Sequence, residues 1–172
     1  LAIGFKNLIV KNKGLKKLIR NNLKKKITYQ DIGFNIGPLI NSSGRIAKAN
    51  DVVELFLTQN DDKIDKILNK MNNHNLTRKK IEQENLDLID LKKYYSKNVI
   101  FIYNKKFHEG VIGILAAKLS KMFNKPCFIM TESHDLLKCS IRSANNVKIN
   151  KTINKLIANK LIISGGGHDE AG

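Results

Sequence analysis

Between Asp61 and Tyr95 the chain runs without a proline or a glycine, and its apolar residues Ile64, Ile67, Leu68, Met71, Ile81, Leu88, Ile89 and Leu91 recur at helical spacing. About 34 residues at ~1.5 Å each span ~50 Å, more than the width of a small domain. The stretch is therefore expected to be a helix connecting two domains, with a boundary near Ser96. A chain of 172 residues accommodates one ordinary domain, or one plus part of another.

The two sides of this helix differ in pattern. Before it, Leu8, Ile9, Leu15, Leu18 and Ile19 predict two short basic helices between Phe5 and Asn22, interrupted at Asn12 and Gly14. Thr28 followed by Asp31 resembles a helix start. The run Gly37-Pro38-Leu39-Ile40-Asn41-Ser42-Ser43-Gly44-Arg45 is expected to be a loop, and Ala47 to Leu57 a helix. After the long helix, strands are expected at 99–103, 126–131, 136–141 and 161–163, with helices at 111–123 and 149–159. Strands alternating with helices define an α/β domain with a mixed or parallel sheet.

A 42% hydrophobic content supports a packed core, and no apolar run reaches the ~18–20 residues of a membrane helix. Cys127 and Cys139 form neither a disulfide framework nor a zinc site, and no signal peptide is visible, which points to a reducing cytoplasm. The chain starts at Leu1 without a Met and stops at Gly172 within a glycine-rich segment, so a fragment is expected. The formal net charge of +16 has the sign of a nucleic-acid binder. Lys, Asn and Ile, the residues an AT-rich genome over-produces, nevertheless make up 71 of the 172 residues. Placement says more than the total. Residues 1–30 carry +9, residues 31–100 only +1, and residues 101–172 carry +6.

Several segments have residue types suited to phosphate chemistry. Ser140 and Arg142 alternate along a predicted strand and so share a face, a hydroxyl beside a guanidinium able to bond two oxygens at once. A solvated strand face is the competing reading, but Arg is scarce here, four against 27 Lys. Gly165-Gly166-Gly167-His168 lets the backbone approach a ligand, offering successive N–H groups as an anion-binding nest with an imidazole at its edge, or else forms a plain turn. Asp169 and Glu170 would repel phosphate and should point elsewhere. His108 precedes a predicted helix N-terminus, where it either orients a substrate or caps its own helix, and Glu109 suits the helix dipole. Asn75 and Arg78 share a face of the long helix, the plain reading being a helix surface. His74, His108, His134 and His168 stand apart without partners at ligand spacing, so no metal site is expected in this chain.

Taken in order, Gly37-Pro38…Asn41…Gly44-Arg45, Asn75…Arg78, His108-Glu109-Gly110-Val111-Ile112-Gly113, Ser140-Ile141-Arg142-Ser143 and Gly166-Gly167-His168…Ala171-Gly172 resemble the RecJ single-stranded-DNA exonucleases of the DHH phosphoesterase superfamily. The resemblance implies an α/β chain in three parts. Residues 1–60 would be the helical tail of a DHH catalytic domain, 61–95 the connecting helix, and 96–172 a small DHHA1-type substrate-binding domain with a mixed sheet, truncated at its end. It also implies a metal-dependent 5′→3′ exonuclease of DNA repair and recombination, acting on single-stranded DNA as a monomer without a membrane. Mn²⁺ or Mg²⁺ would be bound by an N-terminal domain outside this chain, since no Asp-His-His segment occurs here. This fragment alone would then be inactive.

By the same resemblance Ser140 and Arg142 hold the 5′ phosphate, Gly166, Gly167 and His168 face the metal site with His168 donating to the scissile phosphate, and Arg45 lies near the DNA path. His108 joins them as a substrate-binding candidate. Leu39, Ser42-Ser43, Phe107 and Cys139 depart from the family pattern, Leu39 removing one phosphate contact and Cys139 adding bulk beside Ser140. Two other functions stay open: a non-catalytic nucleic-acid-binding module, and an oligoribonuclease or cyclic-dinucleotide phosphodiesterase of the same superfamily. Few aromatics, seven Phe and four Tyr, argue against an extended base-stacking platform.

Overall fold

The computed structural model describes residues 10–23, 27–144 and 147–172. Two compact units divide at Lys80 and Ile81. Of the two short helices expected between Phe5 and Asn22, the first falls mostly outside the described residues. The second is α1 (Lys13–Asn22), which runs through Gly14 instead of being interrupted there; the Asn12 side chain accepts the Leu15 N–H at 2.9 Å and so starts the helix.

The first unit is helical. Thr28 and Asp31 form a reciprocal capping box, as their spacing suggested. The chain then winds through one α-turn (Tyr29–Asp31), a π-helical segment (Ile32–Ile36) and helix α2 (Gly37–Ile46). The expected loop at 37–45 is therefore a helix. Proline cannot donate to the preceding turn, and the wider π-turn, closed by the Gly37 N–H on Ile32 O, lets the backbone pass Pro38 without breaking. Helix α3 follows (Asn50–Leu57), and Gly14 of α1 crosses it so closely that a Cβ there would lie 2.1 Å from Leu55 O. Leu18, Ile36, Leu39, Leu55 and the i, i+3, i+4, i+7 row Ile64, Ile67, Leu68 and Met71 form the core. Lys13 and Lys17 of α1 pair with Asp61 and Asp65, both at 2.7 Å.

Helix α4 runs from Asp61 to Asp87, shorter than expected. Asp90 ends the periodic stretch by capping a separate 3₁₀ turn, Leu91–Tyr94, through the Lys92 N–H at 3.2 Å. No helix among the described residues is long and apolar enough to cross a membrane.

The second unit is a three-stranded sheet with one helix against each face. Strand β1 (Ile100–Tyr103) is parallel to β2 (Cys127–Ser133), and β2 is antiparallel to β3 (Leu136–Arg142). The crossover from β1 to β2 carries α5 (Ile112–Phe123), whose Ile112, Leu115, Ala116 and Leu119 pack with Ile100, Ile102, Cys127 and Ile129. His134 and Asp135, both at positive φ, form the two-residue turn between β2 and β3. On the other face Ile149 and Ile153 of α6 (Ile149–Ala158) pack with Ile141 and Phe128.

The strand expected at 161–163 does not form. Lys160 leaves α6 at positive φ, and Leu161 and Ile163 remain 68% and 82% exposed, with Ile162 turned to the small core. The next stretch to pair with β3 is the chain's last residues. Ile141 N–H donates to Gly172 O at 2.6 Å, Gly172 N–H returns to Ile141 O at 3.1 Å, and Ser143 N–H donates to Glu170 O at 2.8 Å.

Candidate phosphate-binding site

Alternation along β3 puts Lys138, Ser140 and Arg142 in one row on the face that carries α5. The row meets the first turn of α5 at Gly113. A Cβ built on Gly113 would stand 3.2 Å from Ser140 Oγ and 3.8 Å from Arg142 Nη2, so hydroxyl and guanidinium converge on one bare α-carbon. Arg142 is oriented by donating from Nη1 to Ile141 O at 2.8 Å. Ser140 Oγ donates to Gly172 O at 3.4 Å, a long and weak bond. The first N–H groups of any helix lack intrahelical acceptors, and α5 has neither a side-chain cap nor an acidic residue in its first turn to offset that partial positive charge.

Lys138, at the far end of the row, is engaged elsewhere. Its Nζ lies 3.0 Å from Glu109 Oε2, which also accepts from Ser133 Oγ at 2.5 Å. The Ser133 bond, then Lys138, hold the Glu109 carboxyl below the usual carboxylate range. Among the described residues Arg142 has no such carboxylate partner.

His108 is half-buried and its Nδ1 accepts the Gly110 N–H at 3.0 Å, a bond within the turn that precedes α5 and not a cap on the helix itself. The glycine motif is built for close approach rather than for left-handed backbone, since no described glycine has positive φ. Of the two readings left open for this segment, a nest of alternating right- and left-handed residues is not formed there. Instead the Gly167 α-carbon passes Ala171, where a Cβ would lie 2.1 Å from the carbonyl oxygen, and His168 N–H donates to that same oxygen at 2.7 Å. Gly166 has open space around it, and the His168 imidazole is exposed. Asp169 points away toward Lys148, Nζ to Oδ2 3.8 Å.

Arg45 sits in the last turn of α2, exposed, not in a loop. Arg78 is buried rather than on a solvated helix surface, its Nη2 donating to Asn75 Oδ1 at 3.1 Å. The residues that depart from the resembled pattern lie in several different environments. Leu39 is a core residue of the first unit. Ser42 and Ser43 are fully buried but bonded, Ser42 Oγ to Leu39 O at 2.7 Å and Ser43 Oγ to His74 Nδ1 at 3.2 Å. Phe107 fills the second core. Cys139 lies on the opposite face of β3 from Ser140, so its bulk does not enter the row. In the sequence Gly110 and Gly113 read only as letting this helix begin close to its neighbours; the structure shows that the neighbour at Gly113 is the Ser140–Arg142 row.

Among the described residues no group of three or more His, Cys, Asp or Glu side chains is placed to hold a metal ion.

Residues 96–172 match the DHHA1 domain model. Over most of its length the chain is similar to the RecJ proteins. It is 30% identical over 90% of its length to the single-stranded-DNA-specific exonuclease RecJ of Escherichia coli (strain K12), and 26% identical over 87% to that of Haemophilus influenzae. It spans 29% and 28% of those relatives. A crystal structure of RecJ from Thermus thermophilus in complex with Mn²⁺ shares the mixed α/β fold, with a TM-score of 0.77 at 23% identity over 92% of this chain and 23% of that one.

Proposed function

We propose that this chain is the nucleic-acid-gripping portion of a RecJ-type 5′→3′ exonuclease acting on single-stranded DNA in repair and recombination, and that Ser140 and Arg142 hold the strand's 5′-terminal phosphate. The observation that carries the reading is the convergence of Ser140 Oγ and Arg142 Nη2 on Gly113 at the start of α5. A hydroxyl can donate one bond to a phosphate oxygen, a guanidinium can donate two in a fixed fork, and the helix N-terminus adds a favourable field. These groups bind and orient; none is a base or nucleophile. Residues 1–60 are read as the tail of the catalytic domain, 61–95 as the connection, Arg45 as a further phosphate contact, and Gly166, Gly167 and His168 as the segment presented to the scissile phosphate. Mn²⁺ or Mg²⁺, which in the solved RecJ structures accompany the larger proteins, would supply the activation of water from outside this chain.

The test compares 5′-phosphorylated and 5′-hydroxyl oligodeoxynucleotides of one sequence by fluorescence anisotropy. The wild-type chain should prefer the phosphorylated strand, and Arg142→Ala should remove most of that preference while leaving the hydroxyl strand's affinity nearly unchanged. Equal loss on both strands would reject the assignment. With Mn²⁺ the 172-residue chain by itself should cleave neither strand, and robust cleavage by purified chain would overturn the division of labour.

A further inference from the structure

The two donors of the row have been assigned, but the space between them has an owner too. We propose that Gly113 is the residue that sets specificity for a terminal phosphate, its missing side chain being the seat of a phosphate oxygen; this rests on the reading of Ser140 and Arg142 above. An oxygen accepting from both donors must lie ~2.7–3.0 Å from each. The point where a Gly113 Cβ would stand is 3.2 Å from Ser140 Oγ and 3.8 Å from Arg142 Nη2, nearly that position. Any side chain at 113 therefore occupies the ground on which both donors close.

Neither backbone conformation nor backbone contact requires a glycine there. Its φ is not positive, so the backbone does not demand it. No backbone atom lies among the three nearest to the built Cβ, in contrast to Gly14 and Gly167, where carbonyl oxygens stand at 2.1 Å. In a helix, glycine costs stability relative to alanine. The position thus bears a local cost and gains room beside a hydroxyl and a guanidinium. Lys138, in the same row, is held by Glu109, which limits the grip to the Ser140–Arg142 end.

The experiment is Gly113→Ala in the whole chain, measured against 5′-phosphorylated and 5′-hydroxyl strands beside Arg142→Ala. Gly113→Ala should lower affinity for the phosphorylated strand at least tenfold, change the hydroxyl strand less than twofold, and leave the melting temperature unchanged or raised. Ser140→Ala with and without Gly113→Ala separates occlusion from simple crowding of Ser140. Occlusion predicts that the added methyl still removes the remaining phosphate preference in the Ser140→Ala background; a return to the single variant's affinity overturns it. If Gly113→Ala keeps the preference while Arg142→Ala loses it, the Gly113 inference fails and the clamp stands. If wild type and both variants treat the two strands alike, the clamp reading fails as well.

Discussion

Gly166 and Gly167 are neighbours in sequence and opposite in environment, which makes them a paired test of how the glycine motif is held. A Cβ on Gly167 would lie 2.1 Å from Ala171 O and 2.7 Å from the Gly172 α-carbon. Relief to an ordinary contact needs a backbone shift of more than about 1 Å. The segment that must move is fixed by His168 N–H to Ala171 O at 2.7 Å and by the reciprocal Ile141–Gly172 pair at 2.6 and 3.1 Å. At ~1 kcal/mol net per bond, Gly167→Ala should destabilise this edge by ~1–3 kcal/mol. Gly166→Ala meets nothing within 4 Å and should fall within ~0.5 kcal/mol of wild type. Native-state hydrogen exchange reads the difference at the Ile141, Ser143 and Gly172 amides. Protection there should drop roughly 5- to 150-fold in Gly167→Ala and hold in Gly166→Ala. Unchanged protection in Gly167→Ala, or an equal drop in both, would refute close packing as the reason for the motif.

In the first unit, Gly14→Ala forces a methyl against Leu55 O and should cost ~1–3 kcal/mol in urea unfolding despite its better helix propensity. Thr28→Ala removes the capping box and should cost ~1 kcal/mol by the same measurement, with Thr28→Ser largely restoring it. The Glu109 carboxyl lies below its ordinary 4.5, so its partnership with Ser133 and Lys138 stabilises the folded chain above that pH and is lost as pH falls through the depressed value. NMR titration of Glu109 should show this, and Lys138→Ala should move its midpoint upward. Burial pushes the Cys127 thiol up to about 12, so a thiol reagent at about pH 8 should label Cys127 only at the rate of unfolding.

Elements whose signal is local were legible in the sequence. The α4 row from Ile64 to Met71, the Thr28–Asp31 box and the Ser140–Arg142 alternation each depend on spacing within a few residues. What was not legible depends on distant partners. The helix through Pro38 needs the π-turn that Gly37 closes on Ile32. The apolar run 161–163 looks like a strand, but its place beside β3 is taken by the chain's last residues, whose glycines fit the approach that an isoleucine would block. Gly113 reads as a glycine that lets its helix approach a neighbour, but only the folded β3 shows which side chains that neighbour presents. Arg78 looked like surface, and only the fold shows it buried and bonded to Asn75.

The net charge of +16 separates in the same way, by what each cation faces. Lys13, Lys17, Lys63 and Lys70 are each within 2.8 Å of a carboxylate, and Lys138 is tied to Glu109. Exposed residues such as Lys16 contribute a diffuse field that any phosphate feels, whereas Arg142 acts at one point. Salt dependence distinguishes these contributions, because each neutralised phosphate of a single strand steepens the fall of log K with log salt by ~0.7. Arg142→Ala should flatten that slope by about 0.7 to 1 for a 5′-phosphorylated strand and leave the slope for a 5′-hydroxyl strand unchanged. Lys16→Gln should lower both slopes by the same smaller amount. If Arg142→Ala instead flattens both equally, its guanidinium is one more charge in the field, and the end of the strand is not what this row recognises.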